Sequence, residues 1–105
     1  MNFKVIWSKG SLEDAHTIIS FVKHTTGVSA SRKVLEKLKE AENTISVAPH
    51  SGKLEKDYHP CRVLHTKHNR FFYTLDENTQ TAKIVAVWDN RGNDRKIASI
   101  LKNRQ

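Results

Sequence analysis

The 105-residue chain contains one cysteine, two prolines, four glycines and no long hydrophobic run. A single cysteine, Cys61, excludes an internal disulfide and is typical of a reducing compartment, so we expect a cytoplasmic protein. The N-terminal apolar segment is too short for the core of a signal peptide. No apolar run is long enough to span a bilayer, so we expect no membrane partner. The length predicts a single domain, residues 1–105.

Acidic residues are also in short supply, and the resulting positive charge is uneven. Lys and Arg number 18 against 11 Asp and Glu, which gives a formal net charge of +7. Residues 1–49 carry 7 cations against 5 carboxylates, whereas residues 50–105 carry 11 against 6. Such an excess favours acidic partners, either nucleic acid or an acidic protein.

The N-terminal half predicts one strand and two helices. Asn2–Trp7 alternates apolar and other residues and is expected to be a short strand. Ser11 is a candidate N-cap for a first helix that ends before Gly27. The inner face of that helix is predicted from apolar residues at helical spacing, namely Leu12, Ala15, Ile19 and Val22.

A second amphipathic helix is predicted to follow directly. It should start near Ser29 or Ser31 and end before Pro49. Its predicted apolar stripe is Val34, Leu35, Leu38, Ala41 and Ile45. With the short Thr-Gly connection between them, the two helices should form an antiparallel helical hairpin.

The C-terminal half predicts a sheet. After a polar break at residues 49–60, strands are expected at Cys61–Thr66, Arg70–Leu75 and Thr81–Trp88, joined by short polar turns. Asn93 or Asp94 can cap a short C-terminal helix. The order β-αα-βββ-α predicts an α+β fold, in which helices pack on one face of a three-stranded antiparallel meander and leave the other face partly open.

Cations are spread through the predicted meander and the loop before it. Guanidinium groups match phosphate oxygens in a bidentate manner, and three arginines are the candidate catalytic or target-contacting groups: Arg62, Arg70 and Arg91. Further candidate binding residues are Lys53, Lys56, His65, Lys67, His68 and Arg95. We expect the guanidinium groups from separate strands to converge on the open face. The alternative for Arg62 is a solvated side chain or a structural ion pair, and the alternative for Arg91 is an ion pair with Asp89 or Asp94.

Metal and nucleophile chemistry has little support in the sequence. His65 and His68 are spaced across a strand end, but no Cys or carboxylate is placed to complete a tetrahedral site. The sequence does not identify an oriented base for nucleophilic catalysis by Cys61. We therefore expect no metal and no cofactor.

Several segments, taken in order, resemble the RelE/ParE superfamily of bacterial toxins from type II toxin–antitoxin modules. They are KVIWS at residues 4–8, APHSGK at 48–53, RVL at 62–64, RFFYTLD at 70–76 and VWDNRGN at 87–93. The resemblance covers nearly the whole chain. It implies the β-αα-βββ-α toxin domain, a growth-inhibiting activity of the kind associated with plasmid stabilization, and neutralisation by a cognate antitoxin.

The resemblance leaves two targets open. A RelE-like toxin would be a ribosome-dependent, metal-independent mRNA endonuclease, in which Arg62, Arg70 and Arg91 would act as the cations. Such nucleases usually have a Tyr or His near the C-terminus beside the site, and this chain has neither after Trp88. That departure favours a ParE-like inhibitor of DNA gyrase, with an inactive toxin-like binding module as a third reading. Whether the chain is an enzyme stays open at this point.

Overall fold

A computed structural model of the chain describes residues 2–104, and it confirms the predicted α+β order. The helices are α1 (Lys9–Thr25), α2 (Val28–Val47) and α3 (Ile97–Arg104). The strands are β1 (Lys4–Trp7), β2 (Lys53–Leu54), β3 (Arg62–His65), β4 (Asn69–Asp76) and β5 (Thr81–Asp89). Short 3-10 helices lie at Pro49–Ser51, Lys56–Tyr58 and Asp94–Lys96.

The strands form one sheet in the order β1-β5-β4-β3-β2. The antiparallel meander β3-β4-β5 is the predicted one; the start of β5 agrees, and every other strand end differs from the expected one by one residue. β1 pairs in parallel with β5 and begins at Lys4, because the Phe3 amide instead donates to the Ser46 carbonyl (2.9 Å). The break at residues 49–60 contains β2, a two-residue strand that the sequence did not predict.

The first helix starts earlier than predicted, and one residue of its predicted inner face is wrong. Ser8, not Ser11, is the N-cap, and its hydroxyl accepts a hydrogen bond from the Ser11 amide (3.1 Å). Ser11 is fully buried and donates to the Ser8 carbonyl (2.9 Å). Leu12, predicted to face inward, is 54% exposed, while Ala15 is buried as expected. Two small side chains on this face let α1 lie close to the sheet.

Gly27 forms the connection between the helices, as predicted. Its φ of +121° is a conformation that glycine adopts without a Cβ clash, and it is the N-cap residue of α2. The buried face of α2 is Ser31, Leu38, Ala41 and Ile45, so most of the predicted stripe is confirmed. Leu35, which was assigned to that stripe, is 42% exposed.

Apolar side chains are buried on both faces of the sheet. The hairpin α1–α2 covers one face, where its buried residues pack on Phe71, Tyr73 and Ile84, among others. On the opposite face, α3 contributes Ile97 and Leu101 to a second cluster with Cys61, Val63, Phe72, Val85 and Ala86. The hairpin therefore lies as predicted, but the middle of the face expected to stay open is covered by α3.

An ion pair supplies hydrogen-bond partners for the part of the β5 edge that does not pair with β1. β1 ends opposite Ile84, and the ladder of β5 shifts register at the next residue, Val85. The Arg104 guanidinium donates to the Val85 carbonyl (3.1 Å), and Asp14 accepts from the Val87 amide (3.0 Å). Arg104 also donates to both Asp14 oxygens, at 2.6 and 3.0 Å. This pair joins α1, α3 and β5.

A second set of hydrogen bonds fixes the loop that follows α2. The Tyr73 hydroxyl donates to the Pro49 carbonyl (2.7 Å) and accepts from the Gly52 amide (3.0 Å). Arg62 Nη1 donates to the carbonyls of His50 (3.3 Å) and Gly52 (2.9 Å). A Cβ at Gly52 would overlap the Tyr73 hydroxyl, so the close approach requires glycine.

Replacing Asp14 by alanine should destabilise the protein markedly. The side chains of Asp14 and Arg104 are only 21% and 26% exposed, so the change leaves a largely buried cation and the Val87 amide without their carboxylate. We expect the free energy of unfolding in urea to fall by about 3 kcal/mol. Glu40→Ala is the control, since it removes an exposed Lys37–Glu40 pair (3.3 Å) and should cost under about 0.5 kcal/mol. Equal losses in the two variants would contradict a special role for Asp14.

Gly52→Ala should also destabilise the fold, by about 2 kcal/mol, because Tyr73 is fully buried and cannot move aside. Tyr73→Phe removes the atom that the new Cβ would overlap, so the double variant should lose less than the sum of the single losses. Gly27→Ala is the control. The strain that it introduces lies in the backbone, so its loss in free energy of unfolding should add to the loss caused by Tyr73→Phe. Additivity of Gly52→Ala with Tyr73→Phe would contradict this explanation.

Candidate functional site

The predicted site residues lie in two regions of the sheet. Lys53, Lys56 and Arg62 lie around β2 and the neighbouring strand β3. The remaining candidates are in or near the β3–β4 turn and the segment after β5, namely His65, Lys67, His68, Arg70, Arg91 and Arg95. The two regions have different surroundings.

Arg62 lies on the hairpin side of the sheet. Its residue partner across β3 and β4 is Tyr73, which belongs to the cluster packed against the helices. Side chains of directly opposed residues project to the same face. The guanidinium is half-buried, and its two hydrogen bonds to backbone carbonyls hold the loop at residues 50–52. Arg62 is thus a fixed cation at the edge of that loop.

Arg70 lies on the opposite side of the sheet. It is paired across the ladder with Trp88, which packs against the cluster formed with α3. Its Nη2 donates to Asp94 Oδ1 (2.6 Å) and its Nε to Asn90 Oδ1 (3.2 Å). The side chain is only 12% exposed, so most of it is packed and only part of its charge reaches the solvent.

Arg91 is the most accessible of the three arginines, with its side chain 77% exposed. It forms a bidentate pair with Asp89, in which Nε is 3.2 Å from Oδ1 and Nη2 is 2.9 Å from Oδ2. Hydrogen bonding from this side chain holds the pKa of Asp89 below its ordinary value. Of the two carboxylates considered for Arg91, Asp89 is its partner, and Asp94 pairs with Arg70 instead.

The expectation that all three guanidinium groups converge on one face is wrong. The strand register places Arg62 and Arg70 on opposite faces, because the residues opposite them belong to opposite sides of the sheet. α3 also occupies the middle of the face on which convergence was expected. Arg70 and Arg91 do come together, at the end of the sheet where β4 begins and β5 ends. Roles for the three arginines in function stay predictions.

Asn90 organises this end of the sheet, a role that the sequence analysis did not assign. Its side-chain amide donates to the carbonyls of Thr66 (3.1 Å) and Lys67 (3.3 Å), and its backbone amide donates to the His68 carbonyl (2.9 Å). Its Oδ1 accepts from Arg70. The signal in the sequence is a polar turn directly after an apolar strand, where an asparagine can satisfy neighbouring backbone groups.

We name this region the basic corner. It comprises six cationic or titratable residues and two carboxylates: Lys67, His68, Arg70, Arg91, Arg95, Lys96, Asp89 and Asp94. Three segments of the chain build it, namely the β3–β4 turn, the start of β4, and residues 89–96. Asn90 connects all three.

The region around β2 has carboxylates close to its titratable side chains. His65 Nε2 is 3.0 Å from Glu55 Oε2, and His50 Nε2 is 2.6 Å from Glu77 Oε1. Lys53 and Lys56 are exposed. The region around β2 is therefore a mixed surface, in which acidic and basic side chains alternate.

Two side chains that could act as nucleophile or base, Cys61 and Tyr73, are buried. Burial raises the pKa of the Cys61 thiol to about 11 and also raises the pKa of Tyr73. Both side chains are therefore protonated at neutral pH and have no access to a substrate. Within residues 2–104, no three His, Cys, Asp or Glu side chains are grouped to hold a metal ion, and no helix is long and apolar enough to cross a membrane.

Known structures share this fold at low sequence identity. The RelBE2 toxin–antitoxin complex from Mycobacterium tuberculosis is similar at 17% identity, covering 86% of this chain and 100% of that chain, with a TM-score of 0.67. The chromosomal ParDE system from P. aeruginosa has 12% identity, coverage of 83% and 95%, and a TM-score of 0.70. A substituted variant of E. coli toxin RelE in the free state has 15% identity, coverage of 99% and 94%, and a TM-score of 0.60.

Sequence comparison identifies a family for the chain. None of the curated proteins compared with the chain shows a significant match. The family model described as "ParE toxin of type II toxin-antitoxin system, parDE" matches residues 5–93, which run from β1 to the basic corner. The chain therefore belongs to the family of ParE toxins of type II toxin–antitoxin systems.

Proposed function

We propose that this toxin arrests bacterial growth in the cytoplasm by binding and inhibiting DNA gyrase, without catalysing a reaction of its own. The observation that carries the proposal is the match of residues 5–93 to the ParE family. The absence of a Tyr or His after Trp88 agrees with it, because the resemblance to RelE-like nucleases implies such a residue beside their site.

The geometry also supports a binding protein over a nuclease. Cleavage of RNA by its 2′-hydroxyl needs a base, an acid and cations that surround one phosphate. Here the guanidinium groups of Arg62 and Arg70 lie on opposite faces, and Tyr73 is buried with a raised pKa. A toxin that acts by occupying a surface of its target needs shape and charge alone, and the basic corner supplies both.

The partner that neutralises this toxin is proposed to be a cognate antitoxin. Two similar structures are toxin–antitoxin systems. The hairpin exposes five large apolar side chains, which an amphipathic segment can cover: Leu12, Phe21, Val28, Leu35 and Val47. An acidic segment that folds on binding would be attracted by the net charge of +7.

Purified toxin should prevent gyrase from introducing supercoils into relaxed plasmid, as read on an agarose gel. In cells that express the chain alone, plasmids should lose supercoiling while mRNA stays intact during the first minutes of growth arrest. Co-expression of the antitoxin should restore both growth and supercoiling.

Two results would contradict gyrase inhibition. Early cuts in ribosome-bound mRNA with normal plasmid supercoiling would identify a ribosome-dependent nuclease. Normal growth with intact mRNA and normal supercoiling would identify an inactive binding module.

Arg91→Gln should weaken gyrase inhibition without unfolding the protein. Arg91 is largely exposed and contacts its neighbour Asp89, so its loss leaves the core unchanged. We expect the concentration for half-inhibition to rise about tenfold. Lys83→Gln is the matched control, because Lys83 is exposed on β5 but lies towards the other end of that strand. The same loss in both variants would show that overall charge, not the basic corner, matters.

A further inference from the structure

We propose that the basic corner binds the phosphate backbone of duplex DNA, independently of base sequence. The inference makes DNA a direct ligand of this chain. It goes beyond inhibition of gyrase and does not require it.

The first argument is the charge of the basic corner. Five Lys and Arg side chains face two carboxylates, and both carboxylates are already paired, Asp94 with Arg70 and Asp89 with Arg91. Three exposed cations of the corner take part in none of the ion pairs found in residues 2–104: Lys67, Arg95 and Lys96. These cations gain most from a row of phosphates, because binding displaces the counterions condensed on DNA.

The second argument is that the corner is already assembled in the free protein. Asn90 holds the β3–β4 turn, which carries Lys67, against the segment after β5. The Asn93 side chain accepts a hydrogen bond from the Arg95 amide (3.0 Å) and caps the 3-10 helix that carries the other two exposed cations. Ordering of the backbone therefore does not oppose binding.

The third argument concerns what the corner lacks within the described residues. Single-stranded nucleic acids are held by exposed aromatic rings on which bases stack. The indole of Trp88 is half-buried, and its nitrogen lies inside the protein, so the imidazole of His68 is the one exposed ring among the described residues of the corner. The corner therefore offers several cations to a backbone but only one small ring for stacking, which favours a duplex.

The same reasoning disfavours an acidic protein as the ligand of this corner. Protein interfaces are anchored by apolar side chains surrounded by polar ones. None of the large apolar residues found exposed in residues 2–104 lies in the segments that build the corner. Those with the greatest exposure on helices, such as Leu12 and Phe21, belong to the hairpin instead. A charged surface without exposed apolar side chains fits a polyphosphate better than it fits a protein surface.

The test is binding of the full-length toxin to a fluorescent duplex of mixed sequence, followed by anisotropy as salt rises from about 50 to 200 mM. The triple variant Lys67→Gln, Arg95→Gln, Lys96→Gln should lower the slope of log K against log salt by up to about 2.7, since each lost phosphate contact removes about 0.9. The control triple variant, Lys23→Gln, Arg32→Gln, Lys33→Gln, removes the same charge from exposed positions of the hairpin and should change the slope by less than about 0.9.

Several outcomes would overturn the proposal. They are absence of binding by the wild type at low salt, equal loss in the two triple variants, and tighter binding of the single strand than of the duplex. Thermal melting of both variants checks that they fold. Gyrase inhibition is measured in parallel, so that a DNA-binding toxin without effect on gyrase refutes the proposed function alone, and an inhibitor that does not bind DNA refutes this inference alone.

Asn90→Ala supplies a separate readout, because it keeps every charge of the corner. Loss of the Asn90 side-chain hydrogen bonds should raise the dissociation constant for the duplex several-fold. The salt slope should stay that of the wild type, since the number of phosphates contacted is unchanged. An unchanged dissociation constant would show that preassembly by Asn90 contributes nothing to binding.

Discussion

The fold depends on which groups form hydrogen bonds with the edge of β5 beyond the point where its pairing with β1 ends. β5 lies inside the sheet, and backbone groups that lack a partner there would carry a large free-energy cost. Beyond this point, Asp14 from α1 accepts a hydrogen bond from a backbone amide of β5. Arg104 from α3 donates a hydrogen bond to a backbone carbonyl of β5. Because α1 packs on one face and α3 on the other, this ion pair also fixes the two faces relative to each other.

Much of this architecture could be predicted from periodicity and turn residues. The strands of the meander and the two long helices follow from apolar spacing, and Gly27 and Pro49 mark where α1 and α2 end. The side on which α3 packs could not be predicted, because eight residues with two buried positions fit either face. The face of α1 was misassigned at Leu12 because the buried surface there is formed by small residues, including a serine whose hydroxyl bonds within its own helix.

The candidate site was harder to predict than the fold. Residue types identified the cations, but their grouping depends on strand register, which the sequence leaves open by one position. A shift of one residue in register moves a side chain to the other face of the sheet. The observed register therefore places Arg62 and Arg70 on opposite faces. Asn90 was missed for a related reason, since its importance comes from carbonyl groups more than twenty residues away in the chain.

The two ion pairs of the basic corner differ in how easily a ligand can replace the carboxylate. Arg70 is mostly packed and hydrogen-bonded to Asn90, so its bond to Asp94 contributes to the structure of the corner. The Arg91–Asp89 pair is exposed, and such pairs are worth little in water because solvent screens both charges. A phosphate can therefore replace Asp89 as the partner of Arg91 at small cost. The corner thus combines a fixed arginine that maintains its shape with an exchangeable arginine that is available to a ligand.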